Sequence, residues 1–197
     1  MTHPFDPVIF KTSRTLILGS FPGPKAIANG FYYTAPTNQL WPILAAVFND
    51  EVHDKRKFLA DRALAMADAI AACERRGNSS KDEDLTVLKW LDLAALLQQH
   101  PQIKQIVCTS RYVEKTARKQ LKTAAIDTPI VYLPSPSMRF AKMGLAQKTA
   151  VWGRFLKSGE KLQTLRSHLQ AGEESPLLEN FDGKGFLVAL RKKHHSS

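Results

Sequence analysis

The stretch Leu16–Leu44, LILGSFPGPKAIANGFYYTAPTNQLWPIL, decides the fold. Leu16 to Leu18 form a short apolar run that stops at Gly19, the pattern of a buried strand running into a loop. Gly19, Pro22, Gly23 and Pro24 then force a tight, exposed turn just past the carboxyl end of that strand. In open α/β sheets ligands sit along this edge. Phe31, Tyr32 and Tyr33 follow, flat surfaces suited to stacking, and Thr37 and Asn38 lead into the next helix.

Working outward, Arg14 to Leu18 reads as the first strand, and the apolar spacing of Leu40, Leu44, Val47 and Phe48 predicts a helix over Gln39 to Phe48. Pro42 is tolerated there because first-turn amides have no intrahelical acceptor. Lys55 to Cys73 is helix-prone at its start, and its ALAMADAI segment fits either a continued helix or a short buried strand ending near Asp68. Gly77 to Asp84 is a polar loop, and Leu85, Leu88, Leu91 and Leu96 predict a helix over Leu85 to Leu97. Ile103 to Cys108 and Pro129 to Leu133 are further strands. Ser110 is placed to cap a helix whose face carries Arg111, Lys115, Arg118, Lys119 and Lys122. A last helical region runs from Leu145 to Leu169, with Trp152 and Leu156 inward and a break near Gly159.

Strand and helix alternating in this way predict an α/β fold, a three-layer α/β/α sandwich around a mainly parallel central sheet. The strand ends at Gly19, Thr109 and Pro134 then open on one edge. Residues 1–171 are expected to form this domain and residues 172–197 an extension with a basic end. The formal net charge of +10, from 28 Lys and Arg against 18 Asp and Glu, favours an anionic partner such as nucleic acid. Two cysteines, Cys73 and Cys108, are too few for a disulfide framework or a metal cluster. No apolar run approaches the roughly 18 residues of a membrane span. These features lead to the expectation of a cytoplasmic monomer without metal or cofactor.

The turn GSFPGPK fits neither common Gly-rich motif. A phosphate-cradling loop needs four residues between its first Gly and Gly-Lys-Ser/Thr, whereas Gly19 and Gly23 enclose three. A hydrolase elbow needs Gly-x-Ser-x-Gly, and Ser20 follows Gly19 directly. Four segments taken in order do fit a known pattern: GSFPG from Gly19, GFYYTAPTNQLW from Gly30 to Trp41, ADAIAACERRGNSSKDEDL from Ala67 to Leu85, and LPSPS from Leu133 to Ser137. On these the chain resembles the uracil-DNA glycosylase superfamily, and within it the hypoxanthine-DNA glycosylase branch, family six.

The resemblance implies a monofunctional glycosylase that flips a deaminated base, hypoxanthine or uracil, out of DNA and hydrolyses its N-glycosidic bond. The third residue of the first motif, Asp or Asn in many branches, is Phe21 here, so the resemblance assigns the catalytic amide to Asn38. It places the base pocket at Gly19, Ser20, Phe21, Pro22, Gly23, Tyr32, Tyr33, Pro36 and Asp68. DNA contacts fall on Ser135, Pro136, Ser137, Met138 and Arg139 of the groove-entering loop, with Lys25, Ser110, Arg111 and Lys142 near the strand ends. Ser79, Ser80 and Asp82 read as a solvated turn, and none of the six histidines is assigned a role. Phe21, Ala35 and Leu133 depart from the family pattern, and the competing reading is a catalytically silent nucleic-acid-binding protein of the same fold.

Overall fold

The computed structural model describes residues 1–79 and 81–157. The predicted continuation of the last helix to Leu169, its break at Gly159 and the extension from Gly172 lie outside the described residues.

Four parallel strands form the central sheet in the order β2-β1-β5-β6: β1 (Thr15–Gly19), β2 (Leu64–Asp68), β5 (Gln105–Cys108) and β6 (Ile130–Tyr132). Strand β1 is central and wholly buried, which explains why its sequence is an unbroken apolar run. Alternate residues face opposite sides. Ile17, Met66 and Val107 point into one apolar cluster with Leu40, Ile43, Leu44 and Val47 of α2 (Leu40–Phe48), Phe58 and Leu59 of α3 (Lys55–Asp61), and Trp152 and Leu156 of α6 (145–157). Leu16, Leu18, Ala65 and Ala67 point into the other, with Leu93 and Leu97 of α4 (Leu93–Gln99) and Val113, Ala117 and Leu121 of α5 (Arg111–Thr123). Helices on both faces of a parallel sheet make the three-layer α/β sandwich. The N-terminal lead-in closes the outer edge of β2, where Val8 pairs antiparallel with Met66.

One predicted element is corrected. Leu85 to Leu97 is not a single helix: Leu85–Trp90 is strand β4, antiparallel to β3 (Ile70–Arg75), and only Leu93–Gln99 is helical. Along β4 Leu85 and Val87 pack against the cluster of Phe21, Ile70 and Cys73, while Leu88 is 60% exposed. Period-two burial with β-branched Thr86 and Val87 outweighed the leucine spacing. The ambiguous Lys55–Cys73 region divides into α3, β2 and the start of β3. A short helix unforeseen in the sequence, α1 (Pro24–Ala28), follows the first turn. Among the described residues no helix is long and apolar enough to cross a membrane.

Candidate active site

Because all four strands of the central sheet run parallel, Gly19, Asp68 and Thr109 end on one edge, and there a cavity of about 450 Å³ opens. Its floor is built around Gly19. A Cβ at that position would fall inside the van der Waals envelopes of Asp68 Oδ1 and Tyr33 OH. Glycine is therefore required for close approach, not for a left-handed backbone. Tyr33 adopts φ 55°, and its hydroxyl lies 3.4 Å from Thr109 Oγ1. Burial and the neighbouring Asp68 charge push the Tyr33 phenol well above its ordinary range, so it stays a neutral donor.

The wall opposite is the Asn38 segment clamped to the 134–140 loop. Gln39 N–H donates to Pro136 O at 2.8 Å and Met138 N–H to Thr37 O at 3.2 Å. Trp152 Nε1–H donates to Pro134 O, and Lys148 Nζ donates to both Gln39 Oε1 and Ser137 O at 2.8 Å. Lys148 is 1% exposed and its hydrogen-bond acceptors are neutral; burial lowers its pKa. Asn38 stands one residue ahead of Gln39, the N-cap position of α2, and its Oδ1 accepts from the first-turn Leu40 N–H at 2.9 Å, which fixes which way the amide points. One Oδ1 lone pair remains, and Nδ2 has no hydrogen-bond partner among the described residues.

The third wall is the tip of the β3–β4 hairpin. Ser20 Oγ donates to Asp82 Oδ1 at 2.6 Å, while Arg75 donates to Pro22 O and Ser79 O, so the tip is tied to the first turn. Asp82 is not the solvated turn residue the sequence suggested. Burial, reinforced by Asp68, raises its pKa despite the Ser20 bond. Between the ordinary and the raised value the folded state binds the extra proton, so stability falls as pH rises through that window. Asp82→Asn is expected to remove this slope, measured as urea midpoint against pH in the acidic range.

The structure thus gathers most of the predicted residues. Ser20, Phe21, Pro22, Gly23, Tyr33, Asn38, Asp68, Ser110, Ser135, Pro136, Ser137 and Arg139 line the cavity, and Gly19 underlies it. Tyr32 reaches the lining but is 1% exposed, its hydroxyl donating to Asp6 O and its ring stacked on His3, so it is a wall and not a free stacking face. Pro36, Met138, Lys25 and Lys142 are exposed outside the lining. Arg111 is also outside it, bonded to Glu114 and placed 3.9 Å from the Tyr132 ring centre. Ser110 caps α5 through Val113 N–H, and this directs the positive end of a 13-residue helix to the rim. Residues not singled out beforehand join the lining, among them Lys81, Glu83, Thr109 and Phe140, and His3 stands behind it with Nε2 3.0 Å from Asp68 Oδ2. The sequence holds no local signal for His3, because its partner is 65 residues away.

A family profile described as the uracil DNA glycosylase superfamily matches residues 7–156. Among curated relatives, a hypoxanthine DNA glycosylase of Methanosarcina barkeri is 30% identical over 89 residues, 41% of this chain and 56% of the relative. The chain spans about half the length of that relative. A protein of the same name from Methanosarcina acetivorans is 24% identical over 159 residues, 75% of this chain and 96% of the relative. A solution structure from Methanosarcina acetivorans, provisionally named a uracil DNA glycosylase, superposes with a TM-score of 0.63 at 25% identity, covering 79% of this chain and 98% of its own. The matched span contains all four cavity-forming strands, the Asn38 segment and the loop clamped to it, and on that match the chain belongs to the uracil DNA glycosylase superfamily.

Proposed function

We propose that this protein is a monofunctional DNA glycosylase that flips a deaminated base, hypoxanthine or uracil, into the cavity and hydrolyses its N-glycosidic bond. The observation that carries this reading is the Asn38 amide, held rigid by Leu40 N–H at the wall of a cavity large enough for a purine. A base inside a duplex is out of reach, and extruding it costs a few kcal/mol that stacking and hydrogen bonds in the pocket must offset. The bond from C1′ to the base nitrogen breaks with its electron pair leaving on the base and cationic character growing on the sugar. Asn38 Oδ1 orients a water through its remaining lone pair. The water oxygen bonds to C1′, and its proton is released to solvent. The Ser135 hydroxyl, which accepts from Ser137 N–H and keeps its own proton, and the amino end of α5 would stabilise the departing base anion.

The basic charge supplies the affinity for the DNA backbone, and the exposed Met138 beside Arg139 suits a wedge that fills the vacated stack. The reading includes a cytoplasmic monomer, no metal or cofactor, and residues 1–171 as the catalytic domain. Lys148→Met should leave the unfolding free energy from urea titration within about 1 kcal/mol of the wild type, because relief of the buried charge offsets two lost hydrogen bonds. It should lower turnover about tenfold by freeing the groove-facing loop from the Asn38 segment.

The test is strand scission. Labelled single-stranded and duplex oligonucleotides carrying one uracil, hypoxanthine, xanthine or mismatched thymine are incubated with protein and then treated with alkali. Cleavage at a lesion supports the glycosylase and names its base. The apolar Phe21 at the cavity favours one second reading, a DNA-binding member of the fold without chemistry. Tight duplex binding with no scission at any lesion would select that reading.

A further inference from the structure

The proposed hydrolysis strips a proton from the attacking water, and the Asn38 amide is too weak a base to take it. Burial holds Tyr33 as a neutral phenol, which is no better an acceptor of protons. That leaves the carboxylates that line the cavity, Asp68, Asp82 and Glu83. Asp68 is packed beneath Gly19 at the floor and bonded to His3, and Glu83 is exposed. The sugar of a flipped nucleotide stays joined to the DNA backbone outside, so C1′ comes to rest above the floor. A group that takes the proton there has to stand on the wall.

Asp82 stands on that wall, at the tip of the β3–β4 hairpin. Its Oδ1 accepts from Ser20 Oγ at 2.6 Å, and its Oδ2 makes no hydrogen bond among the described residues. Arg75 donates to Pro22 O at 2.7 Å and to Ser79 O, which holds the tip on the first turn and gives the carboxyl a fixed place. One oxygen is thereby anchored and the other is left for a ligand.

We propose that Asp82 is the general base of the hydrolysis, its free Oδ2 taking a proton from the water that Asn38 Oδ1 orients. The water oxygen gives an electron pair to C1′ as the bond to the base breaks with its pair leaving on the base. One water proton moves to Oδ2 and from there to solvent; the other stays on the new C1′ hydroxyl, and the base anion takes up a proton on release. The negative charge of Asp82 also opposes the positive charge growing on the sugar. This inference rests on the glycosylase reading and supplies its proton acceptor.

The surroundings of Asp82 set when it can act. Burial raises its pKa most, and the charges of Asp68 and Glu83 add to this, while the Ser20 hydrogen bond and the Arg75 guanidinium lower it. Tyr33 faces it as a neutral phenol, and Lys81 beside it on the tip is exposed. A carboxylate with a raised pKa is a stronger proton acceptor once ionised. The rate therefore stays low while Asp82 is protonated and rises with pH through the raised value.

The test is the pH profile of single-turnover strand scission under saturating protein, at the lesion the wild type cleaves, for the wild type, Asp82→Asn and Ser20→Ala. The wild-type rate should climb with pH along a limb whose midpoint lies above the ordinary carboxylate value. Asp82→Asn should lower the plateau about 100-fold and flatten that limb. Ser20→Ala should move the midpoint to higher pH, because a hydrogen bond to the charged form is lost. The assignment is overturned if Asp82→Asn keeps the wild-type rate, or if it loses rate equally at every pH and keeps the limb, as a purely structural residue would. It is also overturned if the wild-type rate falls with pH across this window, the sign expected of a general acid. Should Asp82→Asn fail to fold, Ser20→Ala decides, and an unmoved midpoint overturns the assignment. Absence of scission by the wild type at every lesion overturns the glycosylase reading and this assignment with it, whereas scission with an unchanged Asp82→Asn profile overturns the assignment alone.

Discussion

Asn38→Ala is expected to lower single-turnover base excision by about 100-fold, the usual contribution of a positioned group that handles the attacking water. The same side chain accepts from the first-turn Leu40 N–H of α2, so part of any loss would come from a frayed helix start; the two roles separate by magnitude. Losing the bond from Leu40 N–H to Oδ1 should cost about 1 kcal/mol of stability. A urea titration reads that term without reference to catalysis. Asn38→Asp keeps the acceptor for Leu40 N–H and places a charge where the amide stood, so its stability should match the wild type while its rate does not. Unchanged excision in Asn38→Ala would remove this residue from the chemistry.

Gly19→Ala should have the other large effect, for a reason found in packing and not in backbone conformation. The added methyl would overlap Asp68 Oδ1 and Tyr33 OH, and both belong to segments with little room to yield. Tyr33 is pinned in a left-handed conformation, and Asp68 is bonded to His3. Overpacking of this kind costs about 1–3 kcal/mol. Displacing the floor by about 1 Å would weaken excision by roughly 100-fold, since catalysis depends on near-contact geometry. The measurements are the urea midpoint and excision under saturating protein. A variant with normal stability and normal rate would mean that the floor is softer than its geometry indicates.

Much of this architecture is written locally in the chain. An unbroken apolar run bounded by Gly19 marks β1, Ser110 marks the start of α5, and the order of turn, aromatic pair and amide marks the cavity edge. Other parts depend on partners that no local pattern reveals. The residues of β4 carry leucines at helical spacing, and only the antiparallel β3 makes the period-two reading win. Asp82 looks like one acid in a polar run until Ser20 is brought to it from 62 residues away. Lys148 has the composition of a surface residue, and its burial follows from the carbonyl and amide oxygens that the clamped loop turns towards it. His3 lies in a proline-spaced lead-in with no periodicity.

These long connections also set the order in which the protein can assemble. The bonds that complete the cavity join positions 62, 65, 76 and 109 residues apart. Contacts with such large sequence separation carry a high loop-closure entropy and dominate the folding barrier. During refolding, helical signal from the short-range contacts of α2 and α5 should recover before base binding does. A partly folded chain would already carry its positive charge and cling to DNA without being able to hold a base, so the last stage of folding is also the stage that confers selectivity.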